Sequence, residues 1–351
     1  MNIAYIVPKL ANKGPVNVVQ ELVKQMMQHQ HTCTVYYFDE GNEVTFPCRT
    51  SRIRFRERIP FNSYDIIHSH GLRPDAYVFF HKPFRCKAKC ITTVHNYVIQ
   101  DFSYQYNKCT AYIAGNLWMW SLCRHDKIVT LSKDAEKYYS NWFPVKRLTF
   151  AYNTRDIPVD ASITDNEESQ ILSFKRNSIL IGVNAALTDR KGIDQLIEAL
   201  PYLESYKLLI VGEGKSKEAL QKLSHEKKVS DRVFFMGYKK DAYRFLPLYD
   251  IFALPSRSEG FVLTLLEAAI YRKSVVCSNI PIFKEIVDDT QVEFFDLGNI
   301  ESLVKAIKKA AQAKNLGESL YLLYKEKYSP ACFYKRYVNI YSSLLKTGQF
   351  H

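Results

Sequence analysis

The chain has 351 residues, a length that suits two domains of about 150–200 residues better than one. Hydrophobic residues make up 47% of it and charged residues 24%, which excludes an intrinsically disordered chain and is typical of a globular protein. No stretch reaches the roughly 20 apolar residues that a membrane-spanning helix needs, which argues against an integral membrane protein.

The excess of positive charge lies mainly in the first half. Residues 1–150 hold 20 Lys and Arg against 11 Asp and Glu, a surplus of 9, and the remainder holds 28 against 25, a surplus of 3. A basic first half would attract phosphates or anionic lipid headgroups. Met1–Pro8 fits a first buried strand and lacks the cleavage pattern of a signal peptide. We therefore expect a cytoplasmic protein, with peripheral contact to an anionic inner-membrane surface left open as an alternative.

The first half alternates short β-rich runs with helical patterns. The runs that predict strands are Asn2–Val7, Cys33–Phe38, Asp65–His68, Ile91–His95 and Lys127–Leu131. Helical spacing marks Val16–Met27 and Asp134–Trp142, and alternating arginines between Arg49 and Arg58 suggest an edge strand. The apolar segment Ala111–Cys123 predicts a buried helix, with contact to a membrane surface as the alternative. This alternation predicts a mostly parallel sheet covered by helices.

The second half repeats the pattern after an interruption. Residues Arg155–Asn177 are polar, include Pro158, and predict a linker. Further strands are predicted at Ser178–Val183, Tyr206–Val211, Arg232–Met236, Asp250–Leu254 and Ser274–Ser278. Helices are predicted at Gly192–Leu203 and from about Gly260 to Arg272. The fold class is therefore α/β, with two Rossmann-like domains whose mostly parallel sheets face each other across a cleft and bind ligands at the carboxyl ends of the strands.

The eight cysteines show no paired C-x-x-C spacing. His81, Cys86, Cys90 and His95 fall close together in the sequence, but their spacing matches no pattern of zinc ligands. We therefore expect free thiols and no metal site.

The strongest local signal for chemistry is the run from Ser256 to Glu267. A strand ends before it and a helix is predicted to begin near Gly260, so free backbone N–H groups would form a phosphate site. Glu259 and Glu267 would be about 12 Å apart if the stretch between them were helical. That exceeds the roughly 5–9.5 Å of a glycosidase carboxylate pair and suits two carboxylates that accept hydrogen bonds from opposite ends of one extended ligand. The competing interpretation makes Glu259 a helix cap and Glu267 a surface residue.

Glu259 and Glu267, with seven residues between them, resemble the paired-glutamate motif of retaining GT-B glycosyltransferases, the group 1 or family 4-like enzymes. The flanking Leu254-Pro-Ser and Leu265-Leu-Glu-Ala268 are similar to the core of that motif. The resemblance implies that Glu259 contacts hydroxyls of the donor sugar and that Glu267 holds the ribose of the nucleotide. It also implies that backbone amides approach the pyrophosphate from Phe261, Val262, Leu263 and Thr264.

Other segments along nearly the whole chain resemble motifs of this family and occur in the same order as in the family. Gly14 stands in a segment that looks like the family's first glycine loop, which usually has a pair of glycines, and the alternative is an ordinary turn. Thr93-Val-His95 resembles the segment whose histidine lines the sugar site, and the alternative is a core histidine. Asn153 matches a segment at the domain junction, and Met236-Gly-Tyr238 is similar to the segment whose backbone reads the edge of the base. Core packing is the alternative for Tyr238.

Thr188-Asp-Arg-Lys-Gly192 resembles the segment whose lysine, here Lys191, pairs with the donor phosphates. The family's arginine normally stands five residues before that lysine, and Ala186 occupies that position. Our hypothesis is that Arg190 supplies the second charge from a different place. Fixed cations and amides would then stabilise the departing diphosphate in place of a metal, since the chain contains no Asp-x-Asp sequence. We expect no cofactor besides the donor.

The resemblance implies a retaining enzyme that transfers a hexose or N-acetylhexosamine from a nucleotide diphosphate sugar, expected to be UDP-linked, to a glycan or lipid-linked acceptor. Capsule, exopolysaccharide or lipopolysaccharide synthesis is the expected setting. The expected domains are an acceptor-side domain at 1–157, a donor-binding domain at 158–330, and a C-terminal helix at 331–351 that crosses back to the first. The alternatives are a catalytically silent GT-B subunit, a nucleotide-sugar epimerase and, on charge alone, a nucleic-acid-binding protein, for which no recognition motif is present.

Overall fold

The computed structural model describes residues 1–41, 43–103, 107–160 and 162–346. The chain divides into two compact units. The first contains Met1–Asp156 and the chain from Tyr328 onward, and the second contains Ile157–Lys327. Residues 347–351 of the expected C-terminal segment lie outside the described residues.

The first unit is built on a seven-stranded parallel sheet. Its strands are β1 (Asn2–Lys9), β2 (Thr32–Asp39), β3 (Arg49–Arg52), β4 (Ile66–His70), β5 (Lys89–Thr93), β6 (Lys127–Thr130) and β7 (Leu148–Phe150). Their order is β3-β2-β1-β4-β5-β6-β7. The strand order therefore reverses between β1 and β4, and loops at the carboxyl ends of such neighbours are where α/β sheets bind ligands.

Helices cover the faces of this sheet, so its central strands are buried on both sides. Ile3–Val7 of β1, for example, is completely buried. The helices of this part of the chain are α1 (Gly14–Gln28), α2 (Leu72–His81), α3 (Val98–Ser103), α4 (Lys108–Ser121) and α5 (Lys133–Tyr139).

The second unit repeats this plan with a six-stranded parallel sheet. Its strands are β8 (Ile179–Asn184), β9 (Tyr206–Val211), β10 (Val233–Gly237), β11 (Ile251–Leu254), β12 (Ser274–Ser278) and β13 (Glu293–Phe295), in the order β10-β9-β8-β11-β12-β13. Its helices are α6 (Asp165–Lys175), α7 (Ile193–Ala199), α8 (Lys217–Glu226), α9 (Leu263–Ile270), α10 (Pro281–Ile286), α11 (Ile300–Gln312) and α12 (Leu316–Leu323). The strand order reverses between β8 and β11. The last helix, α13 (Pro330–Lys346), belongs to the first unit.

Two parallel-sheet units with covering helices confirm the predicted fold class. The predicted linker Arg155–Asn177 is wrong for the residues that form α6. A capping box opens this helix, because the Thr164 side chain accepts from the Glu167 backbone N–H and the Glu167 side chain accepts from the Thr164 backbone N–H. Only Ile171 of α6 is buried, so the helix lacks the apolar stripe that would have revealed it. Ala161, in the same predicted linker, lies outside the described residues.

Three local expectations need correction. The helix predicted from Gly260 begins at Leu263, because Val262 has an extended backbone. The arginine-rich edge strand ends at Arg52, so Arg54, Arg56 and Arg58 follow β3 instead of lying along it. Segment 111–123 is helical mainly as part of α4, but one face of it is exposed, so the interpretation as a buried helix is wrong for that face.

The described helices include none that is long and apolar enough to cross a membrane.

Candidate functional site

Two loops at the carboxyl edge of the second sheet carry several of the predicted donor-binding residues. One follows β8 and contains a 3₁₀ turn at Asp189–Lys191, and the other runs from the end of β11 to α9. The loops are neighbours because β8 and β11 pair in parallel, with Ile251 opposite Ile181 and Phe252 opposite Gly182. Parallel neighbours end at the same edge of a sheet, which brings two distant motifs together.

The carboxylate of Glu259 is the centre of this arrangement. Its Oε1 accepts hydrogen bonds from the Lys191 ammonium at 2.5 Å and from the Ser256 hydroxyl at 2.6 Å. Its Oε2 accepts from the Arg190 guanidinium at 2.9 Å, and the same guanidinium nitrogen donates to the carbonyl of Ser258 at 2.6 Å. Of the residues predicted for the site, the structure therefore brings Glu259, Lys191 and Arg190 into direct contact.

Burial and charge act in opposite directions on Glu259. The residue is only 5% exposed, and this burial by itself would raise the pKa of its carboxyl group. The charges of Lys191 and Arg190, with the hydrogen bonds from Lys191 and Ser256, outweigh burial and lower that pKa below its ordinary value. Glu259 is therefore an ionised acceptor at neutral pH. Both cations remain partly exposed, so each can also meet a ligand.

Gly192 allows the β8 loop to reach the β11 loop. It has a left-handed backbone with φ of +62°, and a Cβ at this position would lie 2.1 Å from the carbonyl oxygen of Pro255. The Gln195 side chain donates to the carbonyls of Gly192 and Pro255 and so holds the two loops together. Only glycine tolerates both this backbone and this approach.

An ion pair that the sequence analysis missed supports the same loops. The two terminal nitrogens of the Arg257 guanidinium, Nη1 and Nη2, donate to the Asp194 carboxylate at 2.9 and 2.5 Å. This bidentate geometry favours strong pairing. The backbone N–H of Arg257 donates to the carbonyl of Arg190 at 2.7 Å. No local pattern could have revealed this pair, because its members are 63 residues apart in the sequence.

Helix α9 provides the expected start for a phosphate site. Its N-cap is Val262, and no side-chain hydrogen bond caps it, so Leu263 and Thr264 lie in an uncapped first turn. Glu267 lies four residues into this helix and is buried. The helical rise from Leu263 to Glu267 is only about 6 Å. The expected 12 Å separation assumed a helix throughout and does not apply, because Phe261 and Val262 precede the helix.

A glycine turn lies beside the β8 loop. The backbone N–H of Gly212 donates to the carbonyl of Gly237, and the backbone N–H of Leu187 donates to the carbonyl of Glu213. A Cβ on Gly214 would approach the carbonyl of Leu187 to 2.3 Å. Tyr238 follows Gly237 and is 60% exposed, which argues against the alternative that it packs in the core.

In the first unit, His95 follows the end of β5 by two residues and pairs with a second histidine. Its Nε2 lies 2.9 Å from Nδ1 of His70, the last residue of β4. Burial lowers the pKa of His95 to about 3 and holds that of His70 well below its ordinary value, so both rings are neutral near pH 7. His70 Nε2 is buried and has no hydrogen-bond partner among the described residues.

The sequence analysis missed His70 and its neighbour His68. His68 bonds the Tyr341 hydroxyl through Nδ1 at 2.7 Å and the Thr93 hydroxyl through Nε2 at 2.8 Å. The available signal was the alternation His68-Ser-His70 at the end of a strand, where polar side chains in an α/β sheet often serve a ligand.

The two other predicted residues of the first unit differ in environment. Gly14 is the exposed first residue of α1. Asn153 is buried, and its Oδ1 lacks a hydrogen-bond partner within the part of the chain that the structure describes. Neither residue contacts a predicted site residue through any hydrogen bond seen here.

The described residues include no group of three or more His, Cys, Asp or Glu side chains placed to hold a metal ion. The cysteines among the described residues, including Cys86 and Cys90, form no disulfide bond.

Comparison with known proteins identifies the family of this chain. Residues 13–157 match the family described as Glycosyltransferase Family 4, and residues 164–321 match Glycosyl transferases group 1. The O-antigen biosynthesis glycosyltransferase WclY of Escherichia coli is 33% identical over 357 aligned positions, which cover 99% of each chain.

Solved structures share the fold at lower identity. Sucrose-phosphate synthase from Thermosynechococcus elongatus superposes with a TM-score of 0.81 at 16% identity, over 99% of both chains. Anabaena HepE, solved in complex with UDP, gives a TM-score of 0.79 at 14% identity, over 98% of this chain and 100% of that one. The protein is therefore a glycosyltransferase with the GT-B fold, and it belongs to the group 1 and family 4-like glycosyltransferases.

Proposed function

We propose that this enzyme transfers a hexose or N-acetylhexosamine, with retention of anomeric configuration, from a UDP-linked donor to a glycan or lipid-linked oligosaccharide during O-antigen assembly. The observation that carries the proposal is the buried, ionised Glu259 held between Lys191 and Arg190 at the carboxyl edge of a parallel sheet. The name of the E. coli relative supports the O-antigen setting, and the UDP complex of HepE supports the nucleotide. We place the reaction in the cytoplasm.

In this proposal Glu259 accepts hydrogen bonds from hydroxyls of the donor sugar. Without donor, its oxygens already accept hydrogen bonds from the side chains of Lys191, Arg190 and Ser256. An ammonium group carries three N–H donors, so Lys191 can keep its bond to Glu259 while it donates to a phosphate oxygen. The guanidinium of Arg190 has five N–H donors, so its geometry likewise suits binding Glu259 and a phosphate oxygen together. The proposal thus gives Arg190 the charge that Ala186 cannot supply.

The remaining donor contacts follow from the resemblance and from position. The uncapped turn of α9, at Val262–Thr264 after Phe261, would bind the pyrophosphate through its amides. Glu267 would hold the ribose, and the backbone beside Tyr238 would read the base. We assign Gly14, His95 and Asn153 to the donor as well, and the free Oδ1 of Asn153 supports this for Asn153.

Bond breaking would generate negative charge on the leaving UDP, and Lys191, Arg190 and the α9 amides would stabilise it without a metal. The acceptor oxygen would attack the anomeric carbon from the face that UDP leaves. Its bond to that carbon would form as the bond from carbon to the phosphate oxygen breaks, and the acceptor proton would pass to that phosphate oxygen. No protein base is required, and Glu259 is unsuited to the role because its carboxylate is already bound by three donors.

Proton NMR of the product tests the stereochemistry directly. The product is expected to keep the α configuration of an α-linked donor, and an inverted product would contradict retention. The donor is best found by a thermal-shift screen of nucleotide sugars, because a ligand at a hundred times its Kd stabilises the folded state by about 2.7 kcal/mol. Stabilisation by GDP-linked rather than UDP-linked sugars would overturn the assignment of the nucleotide.

A further inference from the structure

The outward face of helix α4 is apolar. Tyr112, Ile113, Leu117 and Trp120 are 64, 56, 61 and 56% exposed. The sequence from Cys109 to Ser121 contains no charged residue. A helix on the surface of a globular protein normally presents polar side chains to water, so this face is unusual.

The opposite face of α4 is well packed, which fixes the orientation of the helix. Trp118 and Met119 are buried, and the Trp118 indole donates a 2.7 Å hydrogen bond to Asp75 of α2. A rotation that buried Trp120 would break this bond. The exposed apolar side chains therefore follow from how the helix is packed.

The apolar surface continues onto α2 and the loop after it. The Trp120 ring contacts Phe79 with a centroid distance of 4.2 Å, and Phe79 contacts Phe80, which is 63% exposed. Phe84, in the following loop, is fully exposed. We call the exposed residues Tyr112, Ile113, Leu117, Trp120, Phe80 and Phe84 the aromatic face. A surface region with this many exposed apolar side chains is more often an interaction surface than one that faces only water.

Basic residues accompany the aromatic face. The sequence from Phe79 to Lys89 contains Lys82, Arg85, Lys87 and Lys89 and no acidic residue. Arg85 and Lys87 are exposed directly after Phe84. Lys82 pairs with Asp126, and Arg124 donates to the carbonyl of Phe79, so Arg85 and Lys87 are the cations of this region that are exposed. The partner should therefore combine negative charge with an apolar layer.

We infer that the aromatic face seats this enzyme on the surface of an anionic lipid bilayer. Trp and Tyr favour the boundary between headgroups and acyl chains, and Lys and Arg are attracted to anionic headgroups. A symmetric dimer through the same face would bring two copies of this basic segment into one interface, which disfavours self-association. The inference depends on the exposure and charge of the first unit alone, so it does not depend on the identity of donor or acceptor.

Flotation of the full-length protein with lipid vesicles tests the inference. We expect binding to vesicles of phosphatidylethanolamine and phosphatidylglycerol, and at least roughly tenfold weaker binding to pure phosphatidylcholine. The variant Ile113→Ser/Leu117→Ser/Trp120→Ser should bind the anionic vesicles at least roughly tenfold less well. The control variant Tyr202→Ser/Leu322→Ser removes exposed apolar side chains from the second unit and should bind like the wild type. Equal binding by the triple variant, or no binding by the wild type, would overturn the inference.

Tryptophan fluorescence gives a second readout that does not depend on a destabilising change. Brominated acyl chains should quench the fluorescence of the wild type, and Trp120→Phe should lose that part of the quenching while it still floats. Quenching that is unchanged in Trp120→Phe would contradict contact at the aromatic face. If the wild type sediments as a dimer and the triple variant as a monomer, the aromatic face binds a second copy of the chain, and the inference is overturned. UDP binding by the triple variant, measured in parallel, shows whether it is folded and keeps this test separate from that of the proposed function.

Discussion

Lys191 and Glu259 are 68 residues apart in the sequence, yet the Lys191 ammonium lies 2.5 Å from Oε1 of Glu259. The contact joins the loop after β8 to the loop after β11, and Arg190 makes a parallel contact to Oε2. Because Glu259 is buried and both cations are partly exposed, the cluster presents positive charge outward and keeps its negative charge within. An anionic leaving group fits this polarity.

Substitutions of Lys191 and Glu259 should affect UDP binding differently while both slow the transfer reaction. Lys191→Met is expected to lower kcat/KM by about a hundredfold and also to weaken UDP binding, because it removes a cation aimed at the phosphates. Glu259→Gln is expected to lower kcat/KM by a similar factor and to leave UDP binding within about threefold, because its proposed partner is the sugar. Steady-state kinetics and calorimetry with UDP check both. Unchanged UDP affinity in Lys191→Met would contradict the phosphate role.

Glu267 should matter for the nucleotide. Loss of a hydrogen bond between a charged carboxylate and a ribose hydroxyl costs about 1.5–3 kcal/mol, so Glu267→Gln should weaken UDP binding by about 10- to 100-fold. Glu226→Gln, at an exposed position of α8, removes one negative charge and should bind UDP normally. If both variants bound UDP alike, Glu267 would have only a structural role.

Gly192 allows a test of how closely the two loops must approach. Gly192→Ala is expected to unfold at lower urea concentration than Gly298→Ala, with a difference of about 2 kcal/mol or more in the free energy of unfolding. Both glycines have a positive φ, but a Cβ at 298 meets nothing within 4 Å, whereas at 192 it meets the carbonyl of Pro255. The difference between the two variants therefore measures the clash of the added Cβ with Pro255, apart from the backbone strain that both variants share. Equal stability of the two variants would mean that the loops can separate easily.

The sequence indicated part of this candidate site because some of its residues stand in local motifs. Glu259, Lys191 and the start of α9 stand in short motifs at strand ends, and the sheet topology necessarily collects strand ends at one edge. The contact between Glu259 and Arg190 could not be predicted, since it depends on the register of β8 against β11 and on the approach that Gly192 permits. The ion pair between Arg257 and Asp194 also could not be predicted, because it too joins the segments that follow β8 and β11.

The fold was predicted where apolar periodicity was strong and missed where it was weak. β1 and β9 are recognisable as continuous apolar runs, as expected for parallel strands buried on both faces. Helix α6 was missed because polar side chains cover it and only its capping box marks its start. The exposed face of α4 was predicted to be buried, because apolar composition alone does not distinguish a helix in the protein core from a helix that contacts a lipid bilayer.

The His95 ring should remain uncharged over the working pH range. Burial lowers its pKa to about 3, so the pH profile of kcat/KM should show no histidine inflection from this residue between about pH 5.5 and 8. His95→Gln should lower kcat/KM at all of these pH values by the same factor, because it removes a neutral hydrogen-bonding group. A factor that changed across this range would show that His95 titrates within it.

Asp75 should make the stability of the protein depend on pH. Its carboxylate is completely buried in the first unit, and burial raises its pKa to about 6, against the opposing effect of hydrogen bonds from Ser69, Trp118 and Thr92. Between about pH 4 and 6 the folded chain therefore holds a proton here that the unfolded chain has lost. The free energy of unfolding falls as pH rises through this window and does not change further, on account of this residue, above it.

Asp75→Asn removes this titration in a side chain of nearly the same shape. On going from pH 6.5 to pH 4, the wild type should gain up to about 3 kcal/mol of stability relative to the variant, since each pKa unit corresponds to about 1.4 kcal/mol. Urea denaturation of both proteins at each pH measures the difference, in which the other carboxyl groups largely cancel. Asp231→Asn, which removes a carboxylate at an exposed position, should show no such trend. A difference between wild type and Asp75→Asn that stayed constant with pH would mean that Asp75 is ionised throughout this range, stabilised by its three hydrogen-bond donors in spite of burial.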